Sequence, residues 1–142
     1  MKIVHEHSFG IIPLKEEKGE SKVLLVLHKG GKHWSFPKGR ANEGESALQT
    51  ATRELKEETN LEVESLISEH VFKEKYIFFR QGEKVIKEVS YFAARVYGPV
   101  AIQAEEIIEF RWVDILEAEA LLTYKETKNI WIEMAKCFFG KK

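Results

Sequence analysis

The chain has 142 residues, of which 44% are hydrophobic and 32% are charged, as in ordinary soluble globular proteins. This length predicts one domain spanning residues 1–142, with room for a sizeable core. The formal net charge of −1 gives no support for nucleic acid or an acidic membrane as a partner held by bulk electrostatics. One cysteine excludes an intramolecular disulfide, and no run is typical of a signal peptide or a membrane span, so we expect a cytoplasmic protein.

The first 45 residues predict a hairpin followed by a long loop. Short apolar runs at residues 7–15 and 21–29, separated by the polar "EEKGE", are typical of paired strands. Residues 30–45, "GGKHWSFPKGRANEGE", are rich in glycine and are expected to form a loop.

A helix is predicted to begin near Ser46, which forms a capping-box pattern with Gln49. Asn60 is expected to end this helix, because asparagine readily adopts a left-handed conformation. The predicted buried stripe lies on the side away from most of the acidic residues and consists of Leu48, Ala51 and Leu55.

The second half of the chain predicts more strands and then two helices. Residues 61–67, 70–79 and 87–97 are strand-like, with a turn around Gly82 between the last two, and residues 107–114 form another candidate strand. A short helix at 115–123 and a longer one at 124–139 follow. The longer helix carries an apolar stripe that predicts core packing: Ile130, Trp131, Met134, Ala135 and Phe138. The order of elements is typical of an α+β fold.

The segment "RELKEETN", residues 53–60, concentrates negative charge on one face of the first helix. Glu54, Glu57 and Glu58 stand at i, i+3 and i+4, so their carboxylates share that face and repel one another. A hard divalent cation would relieve this repulsion, because Mg²⁺ and Mn²⁺ prefer oxygen ligands. The spacing therefore predicts a cation site on this helix.

The longer stretch "GRANEGESALQTATRELKEETNL", residues 39–61, resembles the Nudix box of the Nudix hydrolases. The matching positions include Gly39, Glu45, Arg53 and the three glutamates, whereas Asn60 stands where the pattern expects glycine. The resemblance implies a Nudix fold, in which a mixed β-sheet is sandwiched between helices (α/β/α). It also implies a Mg²⁺-dependent hydrolase, with Mn²⁺ able to substitute, that cuts a nucleoside diphosphate linked to another group.

The resemblance also assigns roles within and beside the box. Arg53 would hold Glu45 in a bidentate pair, with Glu45 and Asn60 serving structural roles. The general base would be a box glutamate or a later loop carboxylate, for which Glu106 is the better match and Glu105 the neighbour that could replace it. The implied metal ligands are Gly39 (through its carbonyl), Glu54, Glu57, Glu58 and Glu106.

Three segments outside the box resemble asymmetrical diadenosine tetraphosphate hydrolases: "KHWSFPKGR", "KEVSYF" and "TYKETKNIW". By this resemblance, Tyr124 would stack on an adenine, with a partner ring from Tyr76 or Phe78. The residues expected to contact phosphate oxygens are His33, Lys38 and Lys87. Lysine suits phosphate as a point charge, and aromatic faces suit a base.

We therefore expect hydrolysis of a dinucleoside polyphosphate, diadenosine tetraphosphate, to ATP and AMP, with no need for nucleic acid or a membrane. Other Nudix substrates stay open: a nucleoside triphosphate, a capped RNA end or a diphosphoinositol polyphosphate. The near-neutral charge weakens the inositol alternative. A catalytically silent nucleotide-sensing module is a further alternative, but such a module would have lost box acids, and none is missing here.

Overall fold

The computed structural model describes residues 1–139, which contain seven strands and three helices. In chain order these are β1 (Lys2–Glu17), β2 (Glu20–His28), β3 (His33–Ser35), β4 (Lys38–Arg40), α1 (Ala47–Thr59), β5 (Glu62–Arg80), β6 (Glu83–Tyr97), β7 (Ile107–Asp114), α2 (Ala118–Leu121) and α3 (Lys125–Phe138). Among these residues no helix has the length and apolar character needed to cross a membrane.

The strands form one mixed sheet. Its main order is β3-β2-β1-β6-β5, while β4 pairs with β1 and β7 pairs with β2. Strand β1 runs parallel to β6 but antiparallel to β2 and β4. Apolar side chains cover both faces of the sheet, as expected when helices pack on both sides.

The core is divided by the sheet into two clusters. One cluster joins Phe36 and Phe72 to Trp131 and Met134 of α3, and the other joins Leu24 and Phe92 to Ala51 and Leu55 of α1. Helices α1 and α3 therefore lie on opposite faces. The prediction of a mixed sheet sandwiched between helices is confirmed.

Helix α1 begins and ends as predicted. Ser46 is the N-cap and forms both hydrogen bonds of the capping box with Gln49, and Asn60 adopts a left-handed φ of 70°. The predicted buried stripe was partly wrong, because Leu48 in the first turn is 37% exposed while Glu58 is only 3% exposed. One of the three acidic side chains therefore points into the protein instead of away from it.

Three other predictions of element bounds need correction. The predicted strands 61–67 and 70–79 are one continuous strand, β5, with an irregularity in its pairing with β6 between Leu66 and Val71. The predicted loop at 30–45 contains the short strands β3 and β4, whose three-residue length is too short to give a periodic pattern. The helix predicted at 115–123 is only the four-residue α2. The apolar stripe of α3 packs into the core as predicted.

Strand β5 presents alternate side chains to the face covered by α3. Phe72, Glu74, Tyr76 and Phe78 share this face, opposite alternate residues of β6 that include Lys87. This half of the sheet extends past the core, so its outer positions are only partly covered. It forms one wall of the site described below.

Candidate functional site

Arg53 is the centre of the hydrogen-bond network of the box. Its Nε donates to Glu45 Oε2 at 2.6 Å and its Nη2 donates to Glu45 Oε1 at 3.0 Å, which is the bidentate pair expected from the sequence. Nη2 also donates to the Arg40 carbonyl at 2.8 Å, and Nη1 donates to Glu54 at 3.1 Å and Glu57 at 3.0 Å. These contacts hold the pKa of Glu45 down at about 2 and tie the loop to the helix.

Beside this network, three carboxylates lie close enough to influence one another. Burial, together with the nearby charges of Glu54 and Glu106, raises the pKa of Glu58 to about 8. Burial also raises the pKa of Glu54, and Glu57 and Glu106 add to that effect. Glu106 reaches this cluster from the loop before β7, where its carbonyl accepts a hydrogen bond from the Lys29 amide at 2.8 Å.

Gly39 brings the backbone of β4 directly against this cluster. A Cβ atom at this position would overlap the carboxylate of Glu54, so only glycine allows the approach. The Lys38 amide, one residue earlier, donates to Glu58 Oε1 at 3.3 Å. The helix carboxylates and the backbone of β4 therefore form one oxygen-rich surface.

The chemistry of these donors fits a hard divalent cation. Within residues 1–139 no group of three or more His, Cys, Asp or Glu side chains is already arranged to hold a metal ion. Two of the candidate ligands, Glu54 and Glu57, instead accept hydrogen bonds from Arg53. Burial and the neighbouring carboxylates nevertheless disfavour the charged form of Glu58, and a bound cation would offset this cost.

A cavity of about 370 Å³ lies beside β4, next to the box carboxylates. This volume is within the usual range for small-molecule sites. The cavity brings together all six residues that the sequence proposed for substrate contact: His33, Lys38, Tyr76, Phe78, Lys87 and Tyr124. These residues come from four strands and from the start of α3, so only the folded sheet places them side by side.

Lys38 connects the cavity with the box. Its side chain lines the cavity while its amide contacts Glu58, so the two halves of the site share one residue of β4. Lys87 lies on β6 directly opposite Tyr76, and burial together with the charge of Lys38 lowers its pKa. Two lysines that repel each other in a partly buried site favour an anionic ligand between them.

Tyr124 is positioned by a link between β3 and the loop before α3. The Trp34 amide donates to Thr123 Oγ1 at 2.8 Å, and the Thr123 amide donates to the Trp34 carbonyl at 3.3 Å. Tyr124, the N-cap of α3, consequently lies over His33, with the two ring centroids 4.9 Å apart. His33 in turn stacks on the buried His28, at 4.7 Å.

Both histidines are neutral near pH 7. Burial and the charge of Lys38 lower the pKa of His28 to about 3 and that of His33 to about 4. His28 Nε2 lies 3.2 Å from the Phe36 carbonyl and donates to it. His33 can therefore contribute a hydrogen bond and an aromatic face to this site, but not a positive charge.

Tyr76 and Tyr124 already touch each other. Their ring centroids lie 5.8 Å apart in a T-shaped arrangement, and Tyr76 Oη lies 3.0 Å from Thr127 Oγ1. A base between two parallel rings needs about 7 Å, since each aromatic contact takes about 3.5 Å. A base cannot lie between these two tyrosines without movement of one ring, whereas Phe78 stands at the mouth of the cavity.

Glu74 also lines this cavity, although it is not among the residues that the sequence predicted for substrate contact. A signal was present, because Glu74 interrupts the apolar phase of "FKEKYIFF" between Phe72 and Tyr76. A charged residue on the inward face of a strand is unusual unless it is paired or has a role in binding.

The fold and the arrangement of the box define a class of protein: Nudix-type hydrolases, in which carboxylates on a helix lie beside a cavity of nucleotide size. The NUDIX domain family matches residues 4–134. The chain belongs to this family and is a Nudix hydrolase. Hydrolases of this family generally use divalent metal ions.

Several relatives bear the name bis(5'-nucleosyl)-tetraphosphatase [asymmetrical]. The Mus musculus protein is 32% identical over 120 residues, covering 83% of this chain and 80% of the relative. The Caenorhabditis elegans protein is 32% identical over 123 residues, covering 85% of this chain and 88% of the relative. A Mycobacterium tuberculosis protein named MutT4 is 31% identical over 137 residues, but this chain spans only 54% of its length.

The fold is similar to that of a C. elegans Ap4A hydrolase solved as a binary complex. The two structures superpose with a TM-score of 0.76 at 25% identity, covering 96% of this chain and 99% of the other. A MutT protein from Methanosarcina mazei Go1 has a TM-score of 0.73 at 20% identity, covering 99% of each chain, which shows likeness of fold alone.

Proposed function

We propose that this protein hydrolyses diadenosine tetraphosphate to ATP and AMP in a Mg²⁺-dependent reaction. The observation that carries the proposal is the position of Lys38, which joins the box carboxylates to a basic and aromatic cavity of nucleotide size. The relatives named as asymmetrical tetraphosphatases, at up to 32% identity, support this substrate over other nucleoside diphosphate derivatives.

In this proposal the oxygen-rich surface of α1 and β4 holds the cation. Its ligands would be the Gly39 carbonyl, Glu54, Glu57, Glu58 and Glu106. The cation would neutralise charge on the phosphates and lower the pKa of water. Mn²⁺ would replace Mg²⁺, since both take oxygen ligands. Arg53, which is paired with Glu45, holds Glu54 and Glu57 in place through hydrogen bonds from Nη1.

We assign the general base to Glu106 rather than Glu105. Glu106 lies close enough to raise the pKa of both Glu54 and Glu58. Glu105 instead accepts a hydrogen bond from the Gln103 side chain at 3.0 Å. A carboxylate beside the cluster is in the better place to take a proton from the attacking water.

The polyphosphate would lie along His33, Lys38 and Lys87, and one adenine would stack on Tyr124. Because Tyr76 contacts Tyr124 and is held by Thr127, we propose Phe78 as the second ring of the base site and Tyr76 as its wall. Phe78 and Tyr124 are each 38% exposed, so part of each ring is accessible to a ligand.

Replacing Tyr124 with alanine tests the base site. We expect substrate binding to weaken by about 1–3 kcal/mol because one stacking face is lost, with a smaller effect on kcat. Steady-state kinetics on diadenosine tetraphosphate measures both constants. An unchanged KM together with a lower melting temperature would show that Tyr124 serves only the packing of α3.

The proposed function is tested by following the products in ¹⁸O-labelled water. Because there is a single metal-binding box, water should attack at one fixed place along the polyphosphate. We assign the attacked atom to the phosphorus next to the far adenosine. Mass spectrometry should therefore find the label in AMP and unlabelled ATP. Label in ATP, or formation of two ADP molecules, would contradict the asymmetric cut. If the protein rapidly hydrolyses a nucleoside triphosphate or capped RNA but not the dinucleotide, the proposed substrate is wrong and the Nudix chemistry stands.

We also propose that residues 1–142 act as one domain in the cytoplasm. The two core clusters share one sheet, which supports a single folding unit. Cys137 is a free, exposed thiol, which suits a reducing compartment.

A further inference from the structure

Two arginines border the cavity and have no role in the proposed mechanism. Arg40 is the last residue of β4, two positions after Lys38, so both side chains project from the same face of the sheet. Arg80 is the last residue of β5, two positions after Phe78, and its guanidinium carbon lies 5.9 Å from the centre of the Phe78 ring. Since Lys38 and Phe78 line the cavity, each arginine stands beside one of its lining residues.

A nearly buried glutamate brings the two arginines together. Glu6 lies on β1, directly opposite Lys87 in the parallel pairing of β1 with β6. Arg40 Nη2 lies 2.9 Å from Glu6 Oε1, and Arg80 Nη2 donates to Glu6 Oε2 at 2.7 Å. Strands β1 and β5 lie on either side of β6, about 10 Å apart, so Arg80 reaches across a whole strand to make this contact. Glu6 thus holds both guanidinium groups close to Lys87.

The acids at this place do not balance the arginines. Glu6 is a single carboxylate shared between two guanidinium groups. Glu83 lies 3.5 Å from Arg80 Nε, but it also lies 4.0 Å from the ammonium group of Lys2. A guanidinium group has five N–H donors, and the side chains of Arg40 and Arg80 are 64% and 45% exposed. Both arginines can therefore donate to a further anion.

Lys87 adds a third positive charge beside the two arginines. Its pKa is lowered by burial, by the charge of Lys38 and then by that of Arg40, while Glu6 acts in the opposite direction. Like charges gathered in this way repel one another, and an anion between them lowers the free energy of the site. The whole chain has a formal net charge of −1, so this concentration of cations is local. Its position and sign fit a phosphate group.

We propose that Arg40 and Arg80 form, together with Lys87, a phosphate site that selects substrates with a longer polyphosphate chain. The proposal rests on the proposed function, because it takes the anion to be the polyphosphate of a dinucleoside substrate. Arginine suits this role, since its planar fork can bind two phosphate oxygens at once. Glu6 is then a positioning residue, which holds both arginines toward the same ligand.

This phosphate site adjoins both the base site and the box. Phe78, beside Arg80, belongs to the proposed base site. Arg40 directly follows Gly39 of the box, and the Arg40 carbonyl accepts a hydrogen bond from Arg53 Nη2 at 2.8 Å. A polyphosphate that runs from the base site to the box passes the two arginines, and each added phosphate brings more negative charge to them. The number of phosphates should therefore matter more when both arginines are present.

The test compares diadenosine tetraphosphate with diadenosine triphosphate within each variant. Both molecules carry the same two adenosines, so the ratio of their kcat/KM values reports on the polyphosphate chain. The wild-type protein should prefer the tetraphosphate. The double variant Arg40→Gln/Arg80→Gln should reduce this preference about fivefold, the upper end for a charge pair at an exposed site. Because the ratio is taken within one protein sample, a change in the folded fraction cancels.

Arg95→Gln is the matched control. It removes an exposed arginine from the same strand as Lys87, at a position about 26 Å farther along β6. This variant should keep the wild-type ratio. An unchanged ratio in the double variant, an equal fall in Arg95→Gln, or no preference for the tetraphosphate in the wild-type protein would overturn the proposal.

A binding measurement separates this inference from the proposed function. Calorimetry in EDTA with inorganic tripolyphosphate probes the phosphate site without adenine, metal or hydrolysis. The wild-type protein and Arg95→Gln should bind it equally, and the double variant should bind about fivefold more weakly. If neither dinucleotide is hydrolysed but this difference is found, the proposed function fails and the phosphate site stands. If the tetraphosphate is hydrolysed but the double variant binds tripolyphosphate as the wild type does, the role of the two arginines alone is wrong.

Discussion

Glu58→Gln is expected to lower kcat/KM by several orders of magnitude while leaving the fold intact. Glu58 is the most buried of the box acids, and it lies among Glu54, Glu106 and the Lys38 amide. A glutamine has nearly the same shape but cannot supply the negative charge that a cation requires. Steady-state hydrolysis of diadenosine tetraphosphate in Mg²⁺ measures the loss, and circular dichroism checks the fold.

The same substitution should raise the stability of the metal-free protein at alkaline pH. The folded pKa of Glu58, about 8, lies above its ordinary value of 4.5, so the folded state binds this proton more tightly than the unfolded state. Stability should therefore fall as the pH rises from about 4.5 to about 8, by on the order of a few kcal/mol. Glutamine does not titrate, so the variant should lose this dependence.

Melting temperatures in EDTA between pH 4.5 and 9 measure this difference. The variant and the wild-type protein should match most closely at the acid end, and the variant should be the more stable one above pH 8. Glu64→Gln, which makes the same chemical change at an exposed position, is the matched control and should follow the wild-type curve. Parallel plots of melting temperature against pH for Glu58→Gln and the wild-type protein would show that folding does not raise the pKa of Glu58.

Removal of divalent cations is expected to abolish hydrolysis. Without a cation, the carboxylates of α1 and the phosphates of the substrate repel each other, and Arg53 is already paired with Glu45, Glu54 and Glu57. Excess EDTA should reduce turnover to background, and Mg²⁺ or Mn²⁺ added in excess of the chelator should restore it.

The cation should also stabilise the protein, which gives a second readout that does not depend on activity. Mg²⁺ should raise the melting temperature of the wild-type protein more strongly at pH 8, near the pKa of Glu58, than at pH 5, where this side chain is protonated. The same addition should have little effect on Glu58→Gln. Full activity in EDTA, or an equal thermal shift in both proteins, would contradict the assignment of the cation site.

The features that the sequence determined are local in the chain. The cap formed by Ser46 and Gln49, the end of α1 at Asn60 and the pairing of Arg53 with Glu45 depend on residues within one helix and its flanking loop. Helical geometry fixes such spacings, so the pattern alone placed the acids on one face. The resemblance of this stretch to the Nudix box implied the family and, with it, a mixed sheet with flanking helices.

The tertiary structure decided which of these residues meet and how their charges behave. Glu58 is buried, and its pKa is raised, because α1 packs on a sheet whose strands come from distant parts of the chain. Lys38, Lys87 and Tyr124 reach one cavity only through the pairing of β4, β1, β6 and β5 and through the docking of α3. The apolar alternation of β5 indicates that Glu74 points inward, but its burial arises from contacts between distant segments, which local spacing does not encode.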